Sequence, residues 1–174
     1  SNDMPTTSGC FDNTSNGGGA DIFVVKFDGA LRSLLGSTYL GGKGDDQPYG
    51  LGIDGNGSIF VSSETSSGDF PVTEGALDGS YNGGDKDVSI TKFKNDLTSI
   101  IYSTYLGGSG LEYSQDIEVD NGGNVYAVGM TMSSDFPTSG EAFDTTYNSK
   151  MDGYVTMINA SGEDLIFSSF IGAE

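Results

Sequence analysis

The sequence of 174 residues contains no histidine and no tryptophan, and its only cysteine is Cys10. Without histidine, the Ser–His and Cys–His catalytic arrangements and histidine-ligated zinc are excluded. A single cysteine permits no disulfide within the chain and leaves the redox compartment open. Basic residues are scarce, 7 Lys and Arg against 25 Asp and Glu, for a formal net charge of −18. Such a chain repels nucleic acid and anionic membrane surfaces, so neither is expected as a partner. No stretch approaches the ~18 consecutive apolar residues of a membrane span. The opening Ser1-Asn2-Asp3-Met4-Pro5 lacks the basic start and apolar core of a signal peptide. An export signal, if the protein uses one, is expected outside this chain or already removed.

What the sequence has instead is glycine, 28 residues with no three-residue period, and a hydrophobic fraction of 35%, enough for a modest core. The glycines punctuate an internal repeat. Ser37-Thr38-Tyr39-Leu40-Gly41-Gly42 returns 66 residues later as Ser103-Thr104-Tyr105-Leu106-Gly107-Gly108. Asp69-Phe70-Pro71 returns at the same spacing as Asp135-Phe136-Pro137, and Asp3-Met4-Pro5 precedes it by the same interval. A third, shorter copy, Phe167-Ser168-Ser169-Phe170-Ile171-Gly172, follows Tyr102–Gly107 at a spacing of 65.

Short segments rich in Val, Ile, Phe, Tyr and Thr, bounded by Gly, Asn, Asp or Ser, predict strands at about 21–28, 34–41, 48–54 and 58–65 in the first repeat. The second repeat gives about 87–94, 99–106, 114–120 and 124–131, and the third only 153–159 and 165–172. No 3.6-residue apolar period persists, so no long helix is expected. Asp54-Gly55-Asn56-Gly57 and Asp120-Asn121-Gly122-Gly123 supply the positive φ angles of tight hairpins.

The strand Asp87–Phe93, the segment Tyr102–Gly110, the hairpin Ile117–Gly129 and the link Ser134-Asp135-Phe136-Pro137-Thr138 together resemble the SBBP-type β-propeller repeat of large secreted and surface proteins of bacteria and archaea. The resemblance implies an all-β fold of four-stranded antiparallel blades, with about two and a half repeats of 66 residues. It places a first blade at 1–68, a second at 69–134 and a partial third at 135–174. Ten strands do not close a ring, since closed propellers typically have four to eight blades. The resemblance implies no reaction, because the family is defined by architecture.

Acidic loops are the only chemistry in view. Asp45 and Asp46 follow the first Gly-Gly pair, and Glu112 takes the place of Asp46 in the second repeat. Oxygen-rich loops of this kind suit calcium, which takes six to eight oxygen ligands, although no EF-hand spacing is present. The alternative for Asp54 and Asp120 is bonding to their own turn backbone. Asp21, Asp87 and Asp152 recur at the start of the first strand of each repeat, where a structural acceptor for backbone N–H groups is expected. Cys10 aligns with Ala76 and Ala142, a slot for small packing. Asn13, Asn56 and Asn159 head glycosylation sequons. The recurring aromatic residues are expected to pack the core, with carbohydrate stacking as the alternative.

These features point to a non-catalytic extracellular or cell-surface module for scaffolding or adhesion, with protein, glycan or further copies of itself as partners. The alternatives are a self-assembling filament or sheath subunit and, less favoured, a carbohydrate-active propeller enzyme using paired carboxylates.

Overall fold

The computed structural model describes residues 3–148 and 150–172. Ten strands follow in order: β1 (Ile22–Phe27), β2 (Leu34–Leu40), β3 (Asp46–Ile53), β4 (Ile59–Thr65), β5 (Asp87–Phe93), β6 (Ile100–Leu106), β7 (Glu112–Val119), β8 (Val125–Thr131), β9 (Asp152–Ile158) and β10 (Leu165–Ile171). All pairings are antiparallel. Among the described residues no helix is long and apolar enough to cross a membrane.

The sheets do not coincide with the blades at 1–68, 69–134 and 135–174. They are β1-β2, then β3-β4-β5-β6, then β7-β8-β9-β10. Each four-stranded sheet therefore joins the last two strands of one repeat to the first two of the next, and the two-stranded sheet lies at the start. The reason is in the loop after β2. Its amides do not turn back onto β2: the N–H of Lys43 donates to Asp69 Oδ1 at 2.9 Å, and those of Gly44 and Asp45 donate to the hydroxyls of Ser67 and Ser66 at 2.8 Å each. The loop is thereby pinned beneath the end of β4, and β3 pairs with β4.

The link 66–86 returns the chain to the same sheet. On the way it runs along the outer strand β6, where Thr73 N–H donates to Ser103 O (3.1 Å) and Tyr105 N–H to Asp78 O (3.0 Å). The segment before β1 treats β2 alike, with Tyr39 N–H donating to Asp12 O, and 137–144 covers β10, with Phe170 N–H donating to Asp144 O. Outer edges that would otherwise invite strand addition are thus occupied by the protein's own chain.

Two cores result. Ile22, Val24, Leu40, Ile59, Val61, Phe93, Leu97 and Tyr105 seal the β1-β2 sheet onto the first four-stranded sheet. Phe60, Ile90, Tyr102, Leu106, Ile117, Val125, Tyr154 and Phe170 seal the two four-stranded sheets together. The link residue Phe70 enters the first core and Phe136 the second, each 3% exposed. β3 and β7 approach closely because β3 carries glycine at the contact: a Cβ on Gly50 would lie 2.8 Å from the backbone nitrogen of Ile117. The hairpin turns close as their Asp-Gly chemistry predicts. Asp54 Oδ1 accepts from the N–H groups of Asn56 and Ser58, Asp120 Oδ1 from those of Gly122 and Asn124, and Gly57 and Gly123 take φ of 79° and 87°.

Candidate functional site

The strand-opening carboxyls line up at one end of the sheets. Cross-strand pairing places Asp46 opposite Thr65 and Thr65 opposite Asp87 in one sheet. In the next, it places Glu112 opposite Thr131 and Thr131 opposite Asp152. The first carboxyl of each sheet meets one from the sheet before it. At the first junction, a methyl group on Gly41 would sit 2.6 Å from Asp46 Oδ2 and 3.1 Å from Asp21 Oδ1. At the second, one on Gly107 would sit 2.7 Å from Asp87 Oδ1 and 2.9 Å from Glu112 Oε2. Glycine is required at both places because two carboxyls occupy the volume of a side chain.

The partners repeat from junction to junction. Asp46 Oδ2 accepts from Gly42 N–H (2.8 Å) and Ser67 Oγ (2.9 Å). Glu112 accepts from Gly108 N–H (3.2 Å), from Thr131 Oγ1 (2.6 Å) and from the Ser133 hydroxyl. Asp21, Asp87 and Asp152 each accept the backbone N–H five or four residues earlier, from Asn16, Asn82 and Asn148, at 2.6–2.7 Å. Asp46, Asp87 and Glu112 are fully buried. Burial pushes the Asp87 carboxyl up to about 8, and the charge of Glu112 adds to this against the opposing Asn82 N–H. Burial also raises Asp46, with the charge of Asp21 in the same direction, outweighing the bonds from Thr65, Gly42 and Ser67.

The three residues singled out for calcium do not form one cluster. Side chains of adjacent strand residues point to opposite faces. Accordingly Asp46 turns inward to Asp21, while Asp45 is exposed and accepts the N–H of Gly19. Glu112 holds the place of Asp46 one junction further on, paired with Asp87. Among the described residues no group of three or more Asp, Glu, Cys or His side chains converges. The recurrence of Asp21 and Asp87, and of Asp46 and Glu112, is visible in the sequence. That the two series meet is not, because it follows from the half-repeat offset of the sheets.

Of the sequon asparagines, Asn13 and Asn56 are exposed. Asn159 is half-buried, its amide donating to Asp164 Oδ2 (2.9 Å) and accepting from the N–H of Glu163 (3.1 Å). Cys10 is half-buried in a loop. Two further buried carboxyls escaped the sequence reading as ion-pair partners: Glu64 meets Lys86, and Asp54 meets Lys92, each at 3.2 Å.

Consecutive four-stranded antiparallel meanders packed face to face, each begun by the same carboxyl motif, define a protein built of β-propeller-type blades. Residues 36–71 and 101–137 match the beta-propeller repeat family SBBP, the family that the sequence resembles. No curated protein matches the chain.

Proposed function

We propose that the chain is a non-catalytic structural module of an extracellular or cell-surface protein, whose blades dock further blades of the same kind in scaffolding or adhesion. The observation that carries this reading is the contrast between covered and uncovered blade faces. On the first four-stranded sheet, Phe60, Ser62 and Glu64 lie buried beneath the next sheet. Their counterparts one repeat later, Tyr126, Val128 and Met130, are 40–42% exposed. At the other end, Ile117 is buried where its counterpart Leu51 is 60% exposed, beside Ile53 and Phe27. Contiguous apolar faces of this kind mark docking surfaces. The strongly acidic, lysine-poor composition suits a solvated surface in a salty medium. A catalytic role for the paired carboxyls is disfavoured by their burial, which keeps substrates away.

A second reading is favoured by the complementarity of the two faces. Tyr126, Val128 and Met130 occupy the role of the Phe60 face, and Leu51 and Ile53 that of the Ile117 face. Head-to-tail association through these two faces would be a heterologous contact that grows into a filament. Mass photometry across a concentration series separates the two. Self-assembly gives oligomers that Leu51→Asp abolishes. A wild-type chain that stays monomeric sinks the filament reading and leaves docking to blades of other origin. Protease shaving of intact source cells tests the surface assignment: a protein spared until the cells are lysed contradicts it.

A further inference from the structure

Strands β1, β5 and β9 take the same position in successive repeats, but their surroundings differ. β5 is flanked by β4 and β6, and β9 by β8 and β10, whereas among the described residues β1 pairs with β2 alone. The difference is felt at the end of the strand. Phe27 is 47% exposed, while its counterparts Phe93 and Ile158 are 0% exposed, each opposite the first residue of the flanking strand, Ile59 and Val125. The apolar face of β3 lies open beside the same edge. Two clefts, of about 290 and about 180 Å³, lie between β1 and β3 and share Val25 and Leu51; Tyr49 and Val61 line the first, Ile53 and Ile59 the second.

The two complete sheets show what fits there. The strand in this place, β4 or β8, is 7 residues long, has an aromatic residue second (Phe60 or Tyr126) and ends on a threonine opposite the strand-opening aspartate. Lys92 stands opposite Phe60 and forms an ion pair with Asp54 in the turn that leads into β4. Its counterpart 66 residues earlier is Lys26, which borders the second cleft and donates instead to the neutral oxygens of Asn95. We propose that β1 accepts a two-stranded β-hairpin from a further repeat of this type, added antiparallel to its open edge, with the turn aspartate of the hairpin on Lys26. The inference rests on the blade docking proposed above and names the element that docks. The occupant is a hairpin and not a whole sheet, because β1 and β2 already hold the outer half of the position. Main-chain bonds to β1 supply the affinity, and the aspartate on Lys26 fixes the register. The aromatic residue of the hairpin faces Leu51, as Phe60 shares a core with the equivalent Ile117.

Residues 67–86 link β4 to β5, and residues 1–20 precede β1 at the same spacing. A second copy of residues 44–66 joined ahead of Ser1 therefore brings a hairpin to β1 in register and at high effective concentration. In this extended chain, the β1 amides that do not bond β2 should gain protection from hydrogen exchange, and Tm should rise by roughly 5–10 °C. A shuffled extension should give neither effect. Lys26→Met, with the residue type of the equivalent Met157, should leave the original chain nearly unchanged and reduce the rise in the extended one. A rise that Lys26→Met leaves intact overturns the proposed register. Extended chains whose β1 amides exchange as before overturn strand addition itself. So does an original chain in which those amides are already as protected as their equivalents in β5. Unprotected β1 amides in a chain that still forms Leu51-dependent oligomers assign the face to a complete sheet of a second copy, in which case blade docking stands and strand addition falls.

Discussion

Lys92 and Asp54 meet at 3.2 Å with side chains only 10% and 1% exposed, and the ammonium also lies 4.8 Å from the centre of the Phe60 ring. Burial is the largest single influence on Asp54 and works against ionisation, but the N–H of Ser58, Lys92 and the N–H of Asn56 together hold the carboxyl below its ordinary value. A depressed carboxyl contributes stability that is present above the unfolded pKa, near 3.9, and is lost as the pH falls through the folded value. Lys92→Met leaves a buried carboxylate without its partner and should cost about 3 kcal/mol near neutral pH. Urea titrations repeated downward from pH 7 should show this difference shrinking below about pH 4; a pH-independent difference would reduce the pair to packing. A purely steric residue effect is set by Gly84. It has φ of +65°, and a Cβ there would overlap the carbonyl oxygen of Gly110, as one on Gly18 would overlap that of Gly44 one repeat earlier. Gly84→Ala combines left-handed strain with a backbone clash and should destabilise by about 2–4 kcal/mol in urea unfolding. Gly79→Ala, with open space around it, serves as the harmless comparison.

At the scale of the element, strand positions were legible almost to the residue. Alternation and Asp-Gly turns placed β4 at 58–65 and β8 at 124–131, against Ile59–Thr65 and Val125–Thr131. Partnership between strands was not legible. The few residues between β2 and β3 look like a hairpin loop, whereas the long link 66–86 looks like a passage between blades; the sheets use them the other way round. Which connection crosses is decided by the contacts of Lys43, Gly44 and Asp45 with 66–69, and these are non-local. The same gap hid the meeting of Asp87 with Glu112, although both residues stood out by recurrence. The link itself is more than a connector. Phe136 stacks on Tyr154 at 4.6 Å between centroids and lies 6.2 Å from Phe170. It thereby fastens the segment covering β10 to the core between the sheets. Phe136→Ala should cost about 3–5 kcal/mol, and hydrogen exchange should show the amide of Phe170, bonded to Asp144 O, losing protection along with it. Protection of Phe170 that survives the substitution would mean that the edge cover holds by its backbone bonds alone.

For the whole molecule, the excess of negative charge is the property that no single contact accounts for. A formal charge of −18 on 174 residues opposes compaction, and the ion pairs described, among them Lys43 with Asp69 at 3.0 Å on the surface, return little of that cost. The long-range repulsion acts between sheets as well as within them, since both four-stranded sheets carry acids in their strands. Screening distinguishes it from the local terms: the Debye length shrinks from about 30 Å at 0.01 M salt to about 8 Å at 0.15 M, while pairs as buried as Lys92 and Asp54 are screened far less. Repulsion that dominates therefore predicts a Tm that rises with NaCl over this range, by roughly 2–4 °C for each 1 kcal/mol relieved. Scanning calorimetry in NaCl, with chelator present so that trace divalent ions do not contribute, checks the sign. A Tm that falls with salt would show that the few attractive pairs outweigh the acidic field, and that the spacing of acids along the sheets already keeps them out of one another's reach.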